Sequence, residues 1–260
     1  MNRTYHFISG LPRSGSTLLS SILKQNPRFT SGISDPIALY CDGIIRDTHV
    51  GAGMGSTVSI EERKEIIRGI FDSFYSDSSE VCFNTNRGWA SNTALLSELY
   101  PNFKMIVCVR SLPWILDSFE TLVRKNALST TTMFAPEENV NVYSRSHTLM
   151  RPDKPVGFAF DGIKQALTSN EKSSIYVLEY DKLAKRPEQT MKEIYQFIGK
   201  PYYKHDYDNV EVSYDEFDDD VQLKGLHTTR KKVSYVDRQL IIPPDLAQQY
   251  SNYEFWRQIK

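Results

Sequence analysis

Cysteine is scarce in this chain. Cys41, Cys82 and Cys108 are the only three, too few for a disulfide framework and not at a metal-ligand spacing. Cys82 and Cys108 fall inside runs that read as strands, where a thiol acts as a small buried hydrophobe. Excess charge of one sign is also missing. Lys and Arg number 31 against 32 Asp and Glu, a formal net charge of -1. That balance argues against a nucleic-acid partner, so any anion site must be local. No apolar run approaches the ~20 residues of a membrane span, and the N-terminus enters a first strand without a signal peptide. The expected setting is cytoplasmic. Internal repeats and composition breaks are absent as well, so residues 1–260 are expected to form one domain. Its 40% hydrophobic content is enough for a substantial core.

What is present is organised around Tyr5–Asn26, YHFISGLPRSGSTLLSSILKQN. A short apolar run, His6-Phe7-Ile8, leads into a loop from Ser9 to Gly15. Leu18, Leu19, Ile22 and Leu23 then form one apolar helix face, stopped by Asn26-Pro27. Strand, glycine-bearing loop and helix aim backbone N–H groups and a positive helix end at an anion. Gly10 to Thr17 has the P-loop spacing, but Ser16 stands where a nucleotide triphosphatase has its lysine. The cation sits within the loop instead, as Arg13.

Further on, residues 30–60 read as a loop with a helical turn near Ile37–Ile45, and 61–75 as an amphipathic helix. Val81–Phe83 is a short strand, followed by the polar cluster Asn84–Gly88 and a helix from Ser91 to Leu99. Lys104–Val109 is the clearest buried strand; it delivers the chain to Arg110 and a helix with Pro113 in its first turn. Residues 128–155 lack a period and read as a loop able to cover a cleft. Val156–Ser169 is helical, Ser174–Glu179 a strand, and Pro187 opens a helix ending at Gly199. Strands alternating with helices predict an α/β fold of three layers with a mainly parallel central sheet. Ligands bind such sheets at the carboxyl ends of the strands, where the clusters at 9–17, 84–88 and 110–118 all fall. Residues 200–260 are expected to fold back over that edge.

Arg110 and Ser118, eight residues apart, can reach one anion beside the strand end. GLPRSGSTLL resembles the 5′-phosphosulfate loop of sulfotransferases that use 3′-phosphoadenosine 5′-phosphosulfate (PAPS), and VCVRSLPWILDS resembles their 3′-phosphate motif. YVLEYDKLAKRPEQTMKEIYQFIGKP is similar to a later segment of the same family. The arginine in the loop brings the chain closer to the tyrosylprotein-sulfotransferase-like branch than to the cytosolic small-molecule enzymes. The resemblance implies transfer of the PAPS sulfuryl group to an acceptor hydroxyl. Pro12, Arg13, Ser14, Gly15, Ser16 and Thr17 would hold the 5′-phosphate, with Arg13 neutralising the leaving oxygen. Arg110 and Ser118 would take the 3′-phosphate, Tyr180 would lie near the adenine, and Arg230, Lys231 and Lys232 would close over it. No metal is needed if arginines balance the charge.

The base is the open point. Counting from Arg13, the family's glutamate falls at Ser34, beside Asp35, which is the first choice; His49, with a suitable ordinary pKa, is second. Arg87 matches a family lysine near the sulfuryl group. His227 can face the cleft or serve only the fold. The rival readings are a P-loop kinase using ATP, which would need the missing lysine and carboxylates for magnesium, and a binding protein that has lost turnover. A peptide tyrosine, a carbohydrate and a small alcohol all remain open as the acceptor.

Overall fold

A computed structural model describes residues 3–49, 51, 58–128, 131–210, 218 and 222–258. Five parallel strands form its centre: β1 Thr4–Gly10, β2 Phe29–Ser31, β3 Val81–Thr85, β4 Met105–Val109 and β5 Ile175–Glu179, in the order β2-β3-β1-β4-β5. Every residue of β3 and β4 is buried. That is why these strands read as unbroken apolar runs: helices cover both faces of a parallel sheet. Successive side chains go to opposite sides. Phe7, Met105, Val107 and Val109 enter one apolar cluster, and Ile8, Ile106 and Cys108 enter the other.

Helices α1 Ser16–Leu23 and α9 Pro187–Phe197 supply the second cluster. The first is built from α2 Ile37–Asp47, α3 Ile60–Phe74, α4 Thr93–Leu99, α5 Leu112–Lys125, α7 Pro155–Thr168 and α10 Pro244–Ser251. Local signals set their ends. Ser59 and Glu62 make a reciprocal cap on α3, and Gly199 leaves α9 with φ of 66°, a conformation that favours glycine.

Several elements differ from the sequence expectation. Residues 30–60 begin inside β2, and α2 is a full helix. The stretch 128–155 holds α6 Val142–Leu149, capped by Asn141, whose side chain accepts from the Tyr143 and Ser144 amides. Its buried positions include Ser146 and Thr148, so it lacks the apolar stripe that periodicity detects. Short α8, Tyr180–Lys185, starts directly at the end of β5.

Beyond α9 the chain returns across the carboxyl edge of the sheet. The amides of Val210 and Val233 donate to the carbonyls of Lys231 and Tyr207, both at 2.8 Å. Asp117, fully buried on α5, ion-pairs with Arg238 and accepts from the amides of Ile241 and Ile242. A carboxylate inside α5 thus anchors the returning strap.

Candidate active site

The turn after β1 is shaped by close packing. Gly10 has φ of 134°, and a Cβ there would lie 2.1 Å from the Cys108 carbonyl oxygen, so a side chain is excluded. Ser14 turns inward: its hydroxyl donates to the carbonyls of Leu11 and Cys108, which leaves only its backbone for a ligand. Gly15, with φ of 93°, precedes α1, and no side chain caps that helix end. The first amides of α1 therefore face the cavity as an anion cradle, alongside Pro12, Arg13, Ser16 and Thr17.

Cations converge on the same place. The Arg13 Nε donates to the Ser118 hydroxyl at 3.0 Å, and its Nη1 donates to the Leu226 carbonyl. The Arg110 guanidinium lies 4.1 Å from the Tyr180 ring centroid and 5.1 Å from that of Trp114. Arg238 sits 5.1 Å from the Trp114 ring as well. Burial, with Arg110 adding repulsion, brings the Arg13 guanidinium down to about 10, and burial likewise lowers Arg110. Arg110 Nε is buried without a partner. Among the described residues no carboxylate forms an ion pair with Arg13, Arg87 or Arg110. A buried cation cluster of this kind is complete only with an anion.

The sequence candidates for the base do not meet this cluster. Asp35 is buried, and its carboxylate accepts from the Thr85 amide and the Tyr75 hydroxyl, both at 2.9 Å. Its own amide donates to the Thr85 carbonyl, and its carbonyl accepts from Asn86. Asp35 therefore staples the turn after β2 to the end of β3 and does not line the cavity; burial raises its pKa. The first choice of base is corrected on that ground. His49 is exposed after the end of α2, bonded to the Arg46 carbonyl, and also stands outside the lining.

The histidine in the cavity is His227. Its Nδ1 lies 2.7 Å from Asp218 Oδ1, and its amide donates to the same carboxylate at 3.1 Å. Asp218 is 1% exposed. Burial lowers the His227 pKa, with the nearby charges of Arg13 and Arg87 helping and Asp218 opposing. The motif around His227 was visible in the sequence. Its partner was not, because Asp218 is one acid in a run of many. Arg87 lines the cavity, where burial lowers its pKa.

From the strap, Arg230 and Lys232 line the cavity and Lys231 does not. The Lys231 carbonyl pairs with Val210 instead, while Lys232 bridges to Asp208 at 2.8 Å. Arg238 and Trp114, both in the lining, were missed. Trp114 lies inside the α5 motif, but Arg238 becomes a neighbour only through the strap.

The whole cavity measures about 770 Å³, within the usual range for small-molecule sites. A family model described as the sulfotransferase domain matches residues 3–223 of the chain. The fold is similar to that of a sulfotransferase from Alicyclobacillus acidocaldarius, at 16% identity and a TM-score of 0.53 over 82% of this chain and 87% of that one. It is also similar to the sulfotransferase domain of the Synechococcus PCC 7002 olefin synthase, at 18% identity and 0.53 over 96% and 88%. A retinol dehydratase solved with androsterone and the inactive cofactor PAP aligns at 13% identity and 0.51 over 97% and 80%. At these identities the likeness speaks for the fold. No curated protein sequence matches significantly.

Proposed function

The chain belongs to the sulfotransferase family, and from that premise we propose that it moves the sulfuryl group of PAPS to an acceptor hydroxyl, with His227 as base. One observation carries the donor assignment: Arg13 and Arg110, neither ion-paired with a carboxylate among the described residues, converge on the uncapped start of α1, with Arg110 Nε left unpaired. An anion with phosphates at two separate positions satisfies that arrangement. PAP, held by the retinol dehydratase relative, carries them at its 5′ and 3′ ends.

In this reading the amides of residues 13–17 and the Ser16 and Thr17 hydroxyls bind the 5′-phosphate. Arg110, Ser118 and the strap cations Arg230, Lys232 and Arg238 surround the 3′-phosphate, beside Tyr180. PAPS supplies a sulfuryl group bonded to a good leaving phosphate. As the acceptor oxygen forms its bond to sulfur, the bond to the bridging phosphate oxygen breaks, and the acceptor proton passes to His227. Asp218 takes the Nδ1 side of the ring, so exchange with the acceptor runs through Nε2. Arg13 and Arg87 offset charge on the leaving oxygen and the sulfuryl group, work that positioned cations do in phosphoryl transfer.

ATP chemistry has little to draw on. Ser16 replaces the P-loop lysine, and Asp42 is the only carboxylate in the lining among the described residues. The reading extends to a cytoplasmic setting, supported by three buried, unpaired cysteines.

Calorimetry with PAP, ADP and ATP–magnesium tests the donor assignment. PAP is expected to bind the wild type selectively, and Arg110→Ala should weaken it by about tenfold to a hundredfold while leaving ADP nearly unaffected. Equal or tighter binding of ATP–magnesium would overturn the assignment.

A further inference from the structure

The cavity has two chemically different ends. Sheet order runs it from β5 and β4, which lead into Tyr180 and Arg110, past the β1 loop and β3 to β2 and α2. Arginines occupy the first end. The other is walled by Ile33, Ala38 and Leu39, which follow β2, together with Met133 and Phe158. Phe158 stands on the first turn of α7, which packs on the turn following β3. The Met133 carbonyl accepts from Lys154 at the start of that helix. Leu39 is 70% exposed and Phe158 40%. Large apolar side chains left uncovered in a concave wall gain by burial against a ligand.

Charge separates the ends as well. Asp42, one turn beyond Leu39 on α2, is the single carboxylate in a lining otherwise rich in cations, among the described residues. Among the described residues no ion pair neutralises it, and Arg46, one turn further, is paired with Asp47 at 2.9 Å. Asp42 is exposed and Arg87 half-buried, so Asp42 is the charge nearer solvent.

Resting on the donor reading above, we propose that the β2 end takes the acceptor as an alcohol with an apolar body and no negative charge, and that Asp42 turns anionic acceptors away. Ser34, Thr85, Asn86 and Thr132, also in the lining, can partner an acceptor hydroxyl, while Leu39, Met133 and Phe158 gain only by burial against an apolar body. A tyrosine within an acidic peptide would bring like charge to Asp42.

The test measures transfer of labelled sulfuryl from PAPS to linear alcohols from butanol to decanol, a hydroxy acid and an amino alcohol of matched length, an acidic tyrosine peptide and a neutral disaccharide. Decanol is also titrated calorimetrically into PAP-saturated protein. Wild type is compared with Leu39→Asp and Asp42→Lys, both exposed positions outside the donor end. kcat/KM is expected to rise by about fourfold per seated methylene. Leu39→Asp should abolish that rise and weaken decanol binding. Asp42→Lys should improve the hydroxy acid relative to the amino alcohol by about threefold to tenfold. PAP affinity should stay unchanged in both variants. A flat chain-length series, a peptide or disaccharide better than every alcohol, or an Asp42→Lys enzyme with unaltered charge preference would overturn the proposal. Failure of PAP itself to bind, reported separately by the calorimeter, would strike the donor reading and take this proposal with it.

Discussion

His227 shows how one side chain acquires chemistry from its surroundings. A base must be neutral to accept a proton, so activity falls as pH drops through its folded-state pKa. Burial sets that value below the ordinary ~6.5 of histidine, and the acid limb of kcat/KM is therefore expected below that pH. His227→Gln should lower kcat by about 10²–10⁴-fold with PAP affinity retained. Asp218→Asn removes the interaction that opposes the shift, so it should move the limb further to acid. A purely structural pair would change stability without moving the limb. Asp35, by contrast, carries the right chemistry in a place where its Oδ2, amide and carbonyl are all bonded within the fold. The sequence put Asp35 first as base and left His227 between the cleft and the fold. Whether a carboxylate faces a ligand or a tyrosine depends on a neighbour 40 residues away, Tyr75.

At the scale of elements, the unit β1, loop and α1 was legible because its constraints are local: a strand run, two glycines at positive φ, and a helix face. The same holds for β4 and α5. The strap was expected from sequence to fold back over the sheet edge, but its conformation was not legible, because it depends on Asp117. Asp117→Asn should release Arg238, weakening PAP binding and raising hydrogen exchange at the Ile241 and Ile242 amides. Breaking a buried ion pair costs about 3–5 kcal/mol, and the loss should appear first as local opening of the strap, with exchange in β1 and β4 preserved. Equal exchange across the strap in wild type and variant would refute the anchor. Helix α6 escaped detection for a related reason: its stability comes from a cap and from contacts to other elements, such as the Arg145–Glu120 pair at 2.8 Å.

The whole molecule carries two buried histidines with no part in the site. Burial lowers His6 and His205 to about 4. Their folded values lie below the unfolded ~6.5, so the neutral form is favoured by folding. Stability from these groups is complete above pH ~6.5 and is lost as pH falls toward 4. Each contributes on the order of 3 kcal/mol across that window. Thermal melts should show Tm falling steadily through it, and His205→Phe, placed among Tyr195, Tyr202, Tyr203 and Tyr207, should flatten part of the slope. A Tm that is level from pH 6.5 to 4 would contradict the assignment.

The sequence by itself determined the parallel α/β layout and the strand–loop–helix unit of β1 and α1, and it placed Arg110 and Ser118 at the strand end where both line the cavity. Each rests on spacing within one strand–helix unit, and short-range geometry is written in residue order. Only the tertiary structure decided that Asp35 is a staple, that His227 stands with Asp218, that Arg238 joins the cations, and that the cavity ends in an apolar wall holding Asp42. Those contacts join residues distant in the chain, and they form because burying two apolar faces of one sheet brings the ends of its strands, and the strap across them, to a single edge.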